Sequence, residues 1–258
     1  MHQKTQELRT SLRKMQNFEQ RFAVLHNAYQ GETAYIVSCG PSVKEIDLDV
    51  LKAQLSGKLV LAVKQSYEFL REVTDFHIYN CANYKEYAYS EPKPVVFECT
   101  TLLPKDGFFN RTCDLKSFIY ERRVQKSLAV DGKFEDYEFS KVLERPYGPG
   151  IMYEAVFHFA VHLGVKEIVT IGWDNSNSGL PTDKLHFYDT MEGNYIDGND
   201  QKQTVNRQML DAEEKITIDA IKKMNEWLTS KDIVLRILSA RNPAPKSISR
   251  IKFEDIKA

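Results

Sequence analysis

The apolar positions fall into two periods. Over residues 3–29, Leu8, Leu12, Met15, Phe18, Phe22 and Leu25 recur at steps of three and four with charged residues between them. That spacing predicts an amphipathic helix, ended by Gly31. The pattern then changes to short apolar runs separated by small or polar residues. Residues 34–38, 58–63, 75–79, 94–98, 167–171 and 233–238 read as strands. The run Lys58-Leu59-Val60-Leu61-Ala62-Val63 is continuous rather than alternating, the mark of a strand covered on both faces of a parallel sheet. Helical patterns lie between the strands, the strongest at 151–163 and 205–230. The segment 247–256 reads as a short extended piece and a small terminal helix. Alternating strands and helices predict an α/β fold with a mostly parallel, Rossmann-like sheet flanked by helices. The expected organisation is an N-terminal helix (1–30) ahead of one nucleotide-binding domain (31–258).

Two stretches break the pattern. Residues 100–147 are charged and aromatic, with no clean period and strands only near 117–120 and 126–130. Residues 175–204 form a long polar loop. Irregular segments of this length in a compact domain are often functional, and residues 100–147 are expected to form a small lid or acceptor face over the sheet edge.

Composition narrows the function classes. The chain has 258 residues, 35 Lys and Arg, 36 Asp and Glu, and a net charge of −1. This near-neutral balance gives no support for nucleic-acid binding. No apolar run is long enough to span a bilayer, and the charged N-terminus does not read as a secretory signal, so a cytoplasmic protein is expected. Cys39, Cys81, Cys99 and Cys113 match no zinc pattern and read as free thiols. Cys39 is a candidate nucleophile by position alone, since no sequence neighbour would lower its pKa.

The candidate chemistry gathers at the C-terminal ends of the strands, where open α/β sheets bind ligands. The first strand runs into Ser38-Cys39-Gly40-Pro41-Ser42. A small-residue turn ahead of a helix can bring backbone N–H groups to a phosphate, and Ser42 is suited to cap that helix. Lys64 and Gln65 end the second strand, and Asn80 ends the third with both a donor and an acceptor. The turn Tyr147-Gly148-Pro149-Gly150 opens the helix at 151, and Asp174 ends the strand at 167–171. His186, in the polar loop, is a candidate general base. His158 and His162 stand four apart, but without an HExxH context they read as packing or surface residues.

These motifs, in this order, resemble the bacterial sialyltransferase group, glycosyltransferase family 42, and the related DUF115 or MptE-like family. The resemblance rests on Ser38-Cys39-Gly40-Pro41-Ser42 with the following Val43–Asp47, on Val63-Lys64-Gln65-Ser66-Tyr67, and on Tyr79-Asn80. It continues through Leu163–Ile168, Gly172-Trp173-Asp174, His186-Phe187-Tyr188 and Asn242-Pro243. It implies a GT-A-variant, Rossmann-like domain and metal-independent transfer of a sialic-acid-like or other sugar from a nucleotide-sugar donor, with no separate cofactor. Gly40, Pro41, Ser42 and Asn80 would then face the nucleotide, Gly148 and Gly150 the donor, and His186 would deprotonate an acceptor hydroxyl on a glycan or other molecule. The chain lacks the family's tyrosine pair at the leaving phosphate, for which Tyr188 and Tyr195 are the candidate substitutes.

The chain departs from that pattern at Cys39 and Lys64, where the family carries Asn. Lys64 could supply charge to a phosphate, and with it a different donor or a diphosphate. Lys64 and Arg145 are the candidate cations for the leaving group. The alternatives are an MptE-like pyrophosphokinase acting on a pterin-type alcohol with ATP and Mg²⁺, and a non-catalytic nucleotide-binding scaffold. The N-terminal helix is suited to pairing in a homo-oligomer, and peripheral association with the inner membrane stays open.

Overall fold

A computed structural model describes residues 2–80, 87–89, 91–101, 113–119, 133–145, 150–174 and 207–256. Among these residues nine strands form one sheet. They are β1 (Thr33–Val37), β2 (Leu59–Val63), β3 (Phe76–Asn80), β4 (Val95–Thr101), β5 (Leu115–Ile119), β6 (Glu144–Arg145), β7 (Glu167–Ile171), β8 (Val234–Ile237) and β9 (Ser249–Arg250). Their order is β6-β5-β4-β3-β2-β1-β7-β8-β9. Every pairing is parallel. The chain therefore builds outward from β1 to β6, crosses back, and continues from β7 on the other side of β1. That reversal opens a crevice beyond the C-terminal ends of β1 and β7, the usual ligand position of a doubly wound sheet. This is the expected Rossmann-like α/β class.

The central strands β2, β3 and β7 are buried on both faces, as their continuous apolar runs require, while β8 alternates exposed and buried residues and β9 is exposed. Leu59, Leu61 and Val63 point into the larger core, and Val60 into the smaller one. The larger core is closed by α1 (Gln3–Leu12), α2 (Phe18–Leu25), α5 (Phe157–His162) and α6 (Arg207–Ser230) through Leu12, Phe22, Leu25, Phe159, Met224 and Leu228. The other face is covered by α3 (Leu48–Leu55) through Leu51 and Leu55, and by α4 (Tyr67–Leu70) through Leu70. Placing helices on both faces is the consequence of right-handed crossovers that reverse direction at β1.

Two helices differ from the sequence expectation. The single helix expected over 3–29 is two, because Asn17 takes an extended backbone and its side chain accepts from the Gln20 N–H at 2.9 Å. That is an N-cap, which starts a new helix. The apolar phase runs on across the break, so periodicity alone hides it. Both helices pack on their own sheet, and α1 is fastened there by Asp75, which accepts from Thr5 Oγ1 at 2.6 Å and from the His2 N–H at 2.7 Å. The helix expected over 151–163 begins instead as a π-helical segment, Met152–Val156, and becomes α-helical only at Phe157. A π segment swells the helix by one residue per turn and is common at functional sites.

Candidate functional site

The helix at 151–162 leads through Gly164 into the start of β7, so it runs antiparallel to the strands and its N-terminus lies at their C-terminal edge. The same edge receives the turn after β1, Lys64 after β2, Asn80 at the end of β3, and Trp173 and Asp174 after β7.

The turn after β1 is a clasp within the protein. Its Ser38 N–H donates to Ile171 O at 2.8 Å and its Gly40 N–H to Gly172 O at 2.7 Å. The Ser42 N–H donates to Asp174 Oδ2 at 2.9 Å, and Ser42 Oγ donates to Asp174 Oδ1 at 2.5 Å. Val43 N–H donates to Gly40 O, and Pro41 has no N–H. The amides of Gly40, Ser42 and Val43 are thus committed to the protein, which corrects the expectation that this turn cradles a phosphate. Ser42 likewise does not cap a helix. The residues Pro41–Glu45 form a short 3₁₀ turn, and Asp47 caps α3. Gly40 is required by close approach, since a Cβ there would stand 2.5 Å from the Asp174 carboxyl carbon and also strike the Gly172 carbonyl.

Asp174 is the centre of the clasp. It is 5% exposed and also accepts from Ser239 Oγ at 2.5 Å, so three donors from two separate loops meet on one carboxylate. Asn242, at the same edge, donates from Nδ2 to Trp173 O at 2.6 Å. Asp174 and Asn242 hold β1, β7 and β8 in register at the switch point.

Beside the clasp, β2 ends in an unusual conformation. Lys64 has φ of +54°, in the left-handed region that residues with a Cβ seldom enter. Its carbonyl is fixed by His77, whose Nε2 lies 2.8 Å away, while His77 Nδ1 is 2.7 Å from the Tyr89 hydroxyl. A carbonyl only accepts, so the His77 proton is on Nε2 and Tyr89 donates to Nδ1. Burial pushes the His77 pKa down to about 3, which keeps the ring neutral in this role. The Tyr67 ring stacks on His77 at 4.6 Å. Ser66 Oγ accepts from the Val63 N–H at 2.8 Å and donates to Val37 O at 2.7 Å, tying the ends of β1 and β2 together.

The polar atoms at this edge are only partly used. Gln65 is fully buried, and its Nε2 has no hydrogen-bond partner among the described residues. Asn80 Oδ1 and Trp173 Nε1 are likewise buried without one. Buried polar atoms are normally satisfied, so orphans at the ends of β2, β3 and β7, all on the C-terminal edge of the sheet, mark that edge as a place where a polar ligand fits. The Lys64 ammonium makes no ion pair within 4 Å among the described residues. Burial lowers its pKa, and Cys39 and Glu154 oppose that shift.

Glu154 is the site residue that the motif reading passes over. It is 3% exposed, lies on the π segment, and acts electrostatically on Lys64. The signal was available: it is the one acid in the apolar run Ile151–Ala155-Val156-Phe157. Gly150, at φ +129°, gives its carbonyl to the Tyr153 and Glu154 N–H groups and so starts this helix.

Three candidates take structural positions. Cys39 is buried, donates from Sγ to Val63 O at 3.1 Å, and has its thiol pushed up to about 11 by burial, the opposite of an activated nucleophile. Arg145 is fully buried. It donates to Tyr137 O at 2.5 Å and Val142 O at 2.7 Å, and its guanidinium lies 3.9 Å from the Phe139 ring centre, which removes it from any phosphate. His158 and His162 bond to Phe134 O and Phe22 O, with burial pushing their pKa values down to about 3 and about 4. Among the described residues no cluster of His, Cys, Asp and Glu could hold a metal ion, and no helix is long and apolar enough to cross a membrane. Gly148, His186 and Tyr188 lie outside the described residues, as do Cys81 and most of the 100–147 and 175–204 segments.

The edge that is described therefore brings together Lys64, Gln65, Asn80 and Glu154, backed by the Gly40–Ser42–Asp174 clasp. Compared with models of known protein families the chain matches none, and a search among curated proteins gives no match either.

Proposed function

We propose that the chain is a glycosyltransferase that moves a sugar from a nucleotide-sugar donor to a hydroxyl acceptor. The observation that carries this reading is the set of buried, unpartnered polar atoms on Gln65, Asn80 and Trp173 along the C-terminal edge of a parallel sheet that reverses its strand order at β1, with Lys64 on the same edge. Carboxamides can read the hydroxyls and base edge of a nucleotide, and the ammonium can stabilise charge that develops on the leaving phosphate. The order of motifs shared with the sialyltransferase-like families supports the same reading. In it, His186 removes the proton from the acceptor hydroxyl as the oxygen attacks the anomeric carbon. The bond from that carbon to the phosphate oxygen breaks, and the nucleotide leaves with the electron pair.

The test is a panel of nucleotide sugars incubated with the full chain, with release of free nucleotide followed by chromatography and donor binding followed by thermal shift. Stabilisation by one donor, with slow release of its nucleotide that His186→Ala abolishes while binding survives, is the expected result. Stabilisation by ATP with Mg²⁺ alone would overturn the reading in favour of the pyrophosphokinase. No response to any nucleotide would overturn both enzymatic readings.

A further inference from the structure

We propose that the end of β2, and not the glycine turn after β1, is the phosphate-binding element of this site, with Lys64 as its cation and a diphosphate-linked nucleotide as the ligand it selects. This rests on the nucleotide reading above and names its substrate class.

The glycine turn has its donors already in use. Gly40 N–H is bonded to Gly172 O, Ser42 N–H to Asp174, and Val43 N–H to Gly40 O. Asp174 itself brings a negative charge behind that turn. An anion docking there would meet a carboxylate and amides already in use. One strand away, about 5 Å in a parallel sheet, the geometry is reversed. Lys64 is held in a left-handed backbone whose carbonyl is clamped by the neutral His77 ring. Such a conformation is unfavourable for a residue with a Cβ, and glycine would fill the position without that cost. Non-glycine residues that persist in this region cluster at binding sites. The next residue, Gln65, adds a fully buried carboxamide N–H₂ with no partner among the described residues.

Two adjacent donors set the size of the anion. The Lys64 ammonium makes no ion pair within 4 Å among the described residues, and Gln65 Nε2, on the next residue, has no partner there either. A monophosphate offers one phosphoryl group to both donors. A diphosphate offers two, with more charge and more acceptor oxygens for them to share.

The experiment is calorimetric titration of the full chain and of Lys64→Gly, Lys64→Met and Lys64→Arg with paired nucleotides: UDP and UMP, GDP and GMP, CDP and CMP, ADP and AMP. Lys64→Gly is chosen because φ of +54° suits glycine, so the fold is kept while the charge is removed. For the recognised base, wild-type protein should bind the diphosphate at least about tenfold more tightly than the monophosphate. That ratio should fall to about one in the Gly and Met variants, with the larger loss on the diphosphate, and survive in the Arg variant. A wild-type ratio near one, or a ratio that survives Lys64→Gly, overturns the proposal and leaves the nucleotide reading standing. If no nucleotide binds, it is the nucleotide reading that fails. Inorganic pyrophosphate then decides on Lys64: binding to wild-type that is lost in Lys64→Gly supports the anion site, and equal binding or none overturns it.

Discussion

Replacing Asp174 separates a clasp from a ligand-binding carboxylate. In the structure Asp174 accepts from the Ser42 N–H, the Ser42 hydroxyl and the Ser239 hydroxyl, at 2.9, 2.5 and 2.5 Å. Asp174→Ala removes all three acceptors. Hydrogen bonds to a charged group contribute about 1.5–3 kcal/mol each, but the two hydroxyls can turn to other acceptors or water, so only part of that is lost. The Ser42 N–H cannot turn away, and a buried amide left unpaired costs about 1–3 kcal/mol. The expected loss is about 3–5 kcal/mol, a large part of the roughly 5–15 kcal/mol that a domain has. Asp174→Asn should cost less, about 1–2 kcal/mol. Its oxygen can keep the Ser42 N–H while its NH₂ donates to the hydroxyl oxygens. Urea unfolding followed by circular dichroism at pH 7 measures both, provided the slope of free energy against urea is unchanged. A loss below about 1 kcal/mol for Asp174→Ala, or a gain, would refute the clasp. A gain is what a functional carboxylate held against its own burial penalty would give.

Three further outcomes follow from the same geometry. Gly40→Ala should destabilise by about 1–3 kcal/mol in the same assay, because the new Cβ would sit 2.5 Å from the Asp174 carboxyl carbon with the Gly172 backbone behind it. Stability should fall with acid from about pH 6.5 downward, because His77, His158 and His162 are held neutral in the fold, to about pH 3, 3 and 4, while the unfolded chain takes up protons first. Each contributes up to about 1.4 kcal/mol per pH unit within that window and nothing above it, and His158→Gln should flatten the slope measured by thermal unfolding across pH 4–7. Native protein should react with a thiol-specific disulfide reagent far more slowly at Cys39 than unfolded protein does, since that thiol is buried and pushed up to about 11, and fast native labelling of Cys39 would contradict its placement.

How much of this was legible in the sequence depends on whether the deciding contact was local. The continuous run Leu59–Val63 announced a strand covered on both faces, and β1, β2, β3 and β7 lie where the apolar runs put them. The break at Asn17 stayed hidden because the apolar phase of Phe18, Phe22 and Leu25 continues that of Leu8 and Leu12. The two-residue strands β6 and β9 are too short to carry a period. At the site, the strand-end positions of Lys64 and Asn80 were readable from the runs before them. The role of the Gly40 turn was not, because its N–H groups are taken by Gly172 and Asp174, more than 130 residues away, and that depends on β7 pairing beside β1. Ser42 was read as a cap for the same reason: the local signal is genuine, and a distant carboxylate outcompetes it. Glu154 stands out in the sequence as the one acid in an apolar run, but its electrostatic influence on Lys64 depends on how the helix at 151–162 packs on the sheet, which the run does not carry.

The central claim, that a nucleotide lies on the C-terminal edge beside the β1–β7 switch point, is tested most directly by a crystal structure of the chain soaked with its best-binding nucleotide. Phosphate oxygens should then lie within hydrogen-bond reach of Lys64 Nζ and Gln65 Nε2, with the nucleoside reaching Asn80 and no phosphate contact from the Gly40 or Ser42 amides. A nucleotide seated on the turn's amides, or in the groove lined by His26, Phe139 and His162 beside α2, would contradict it.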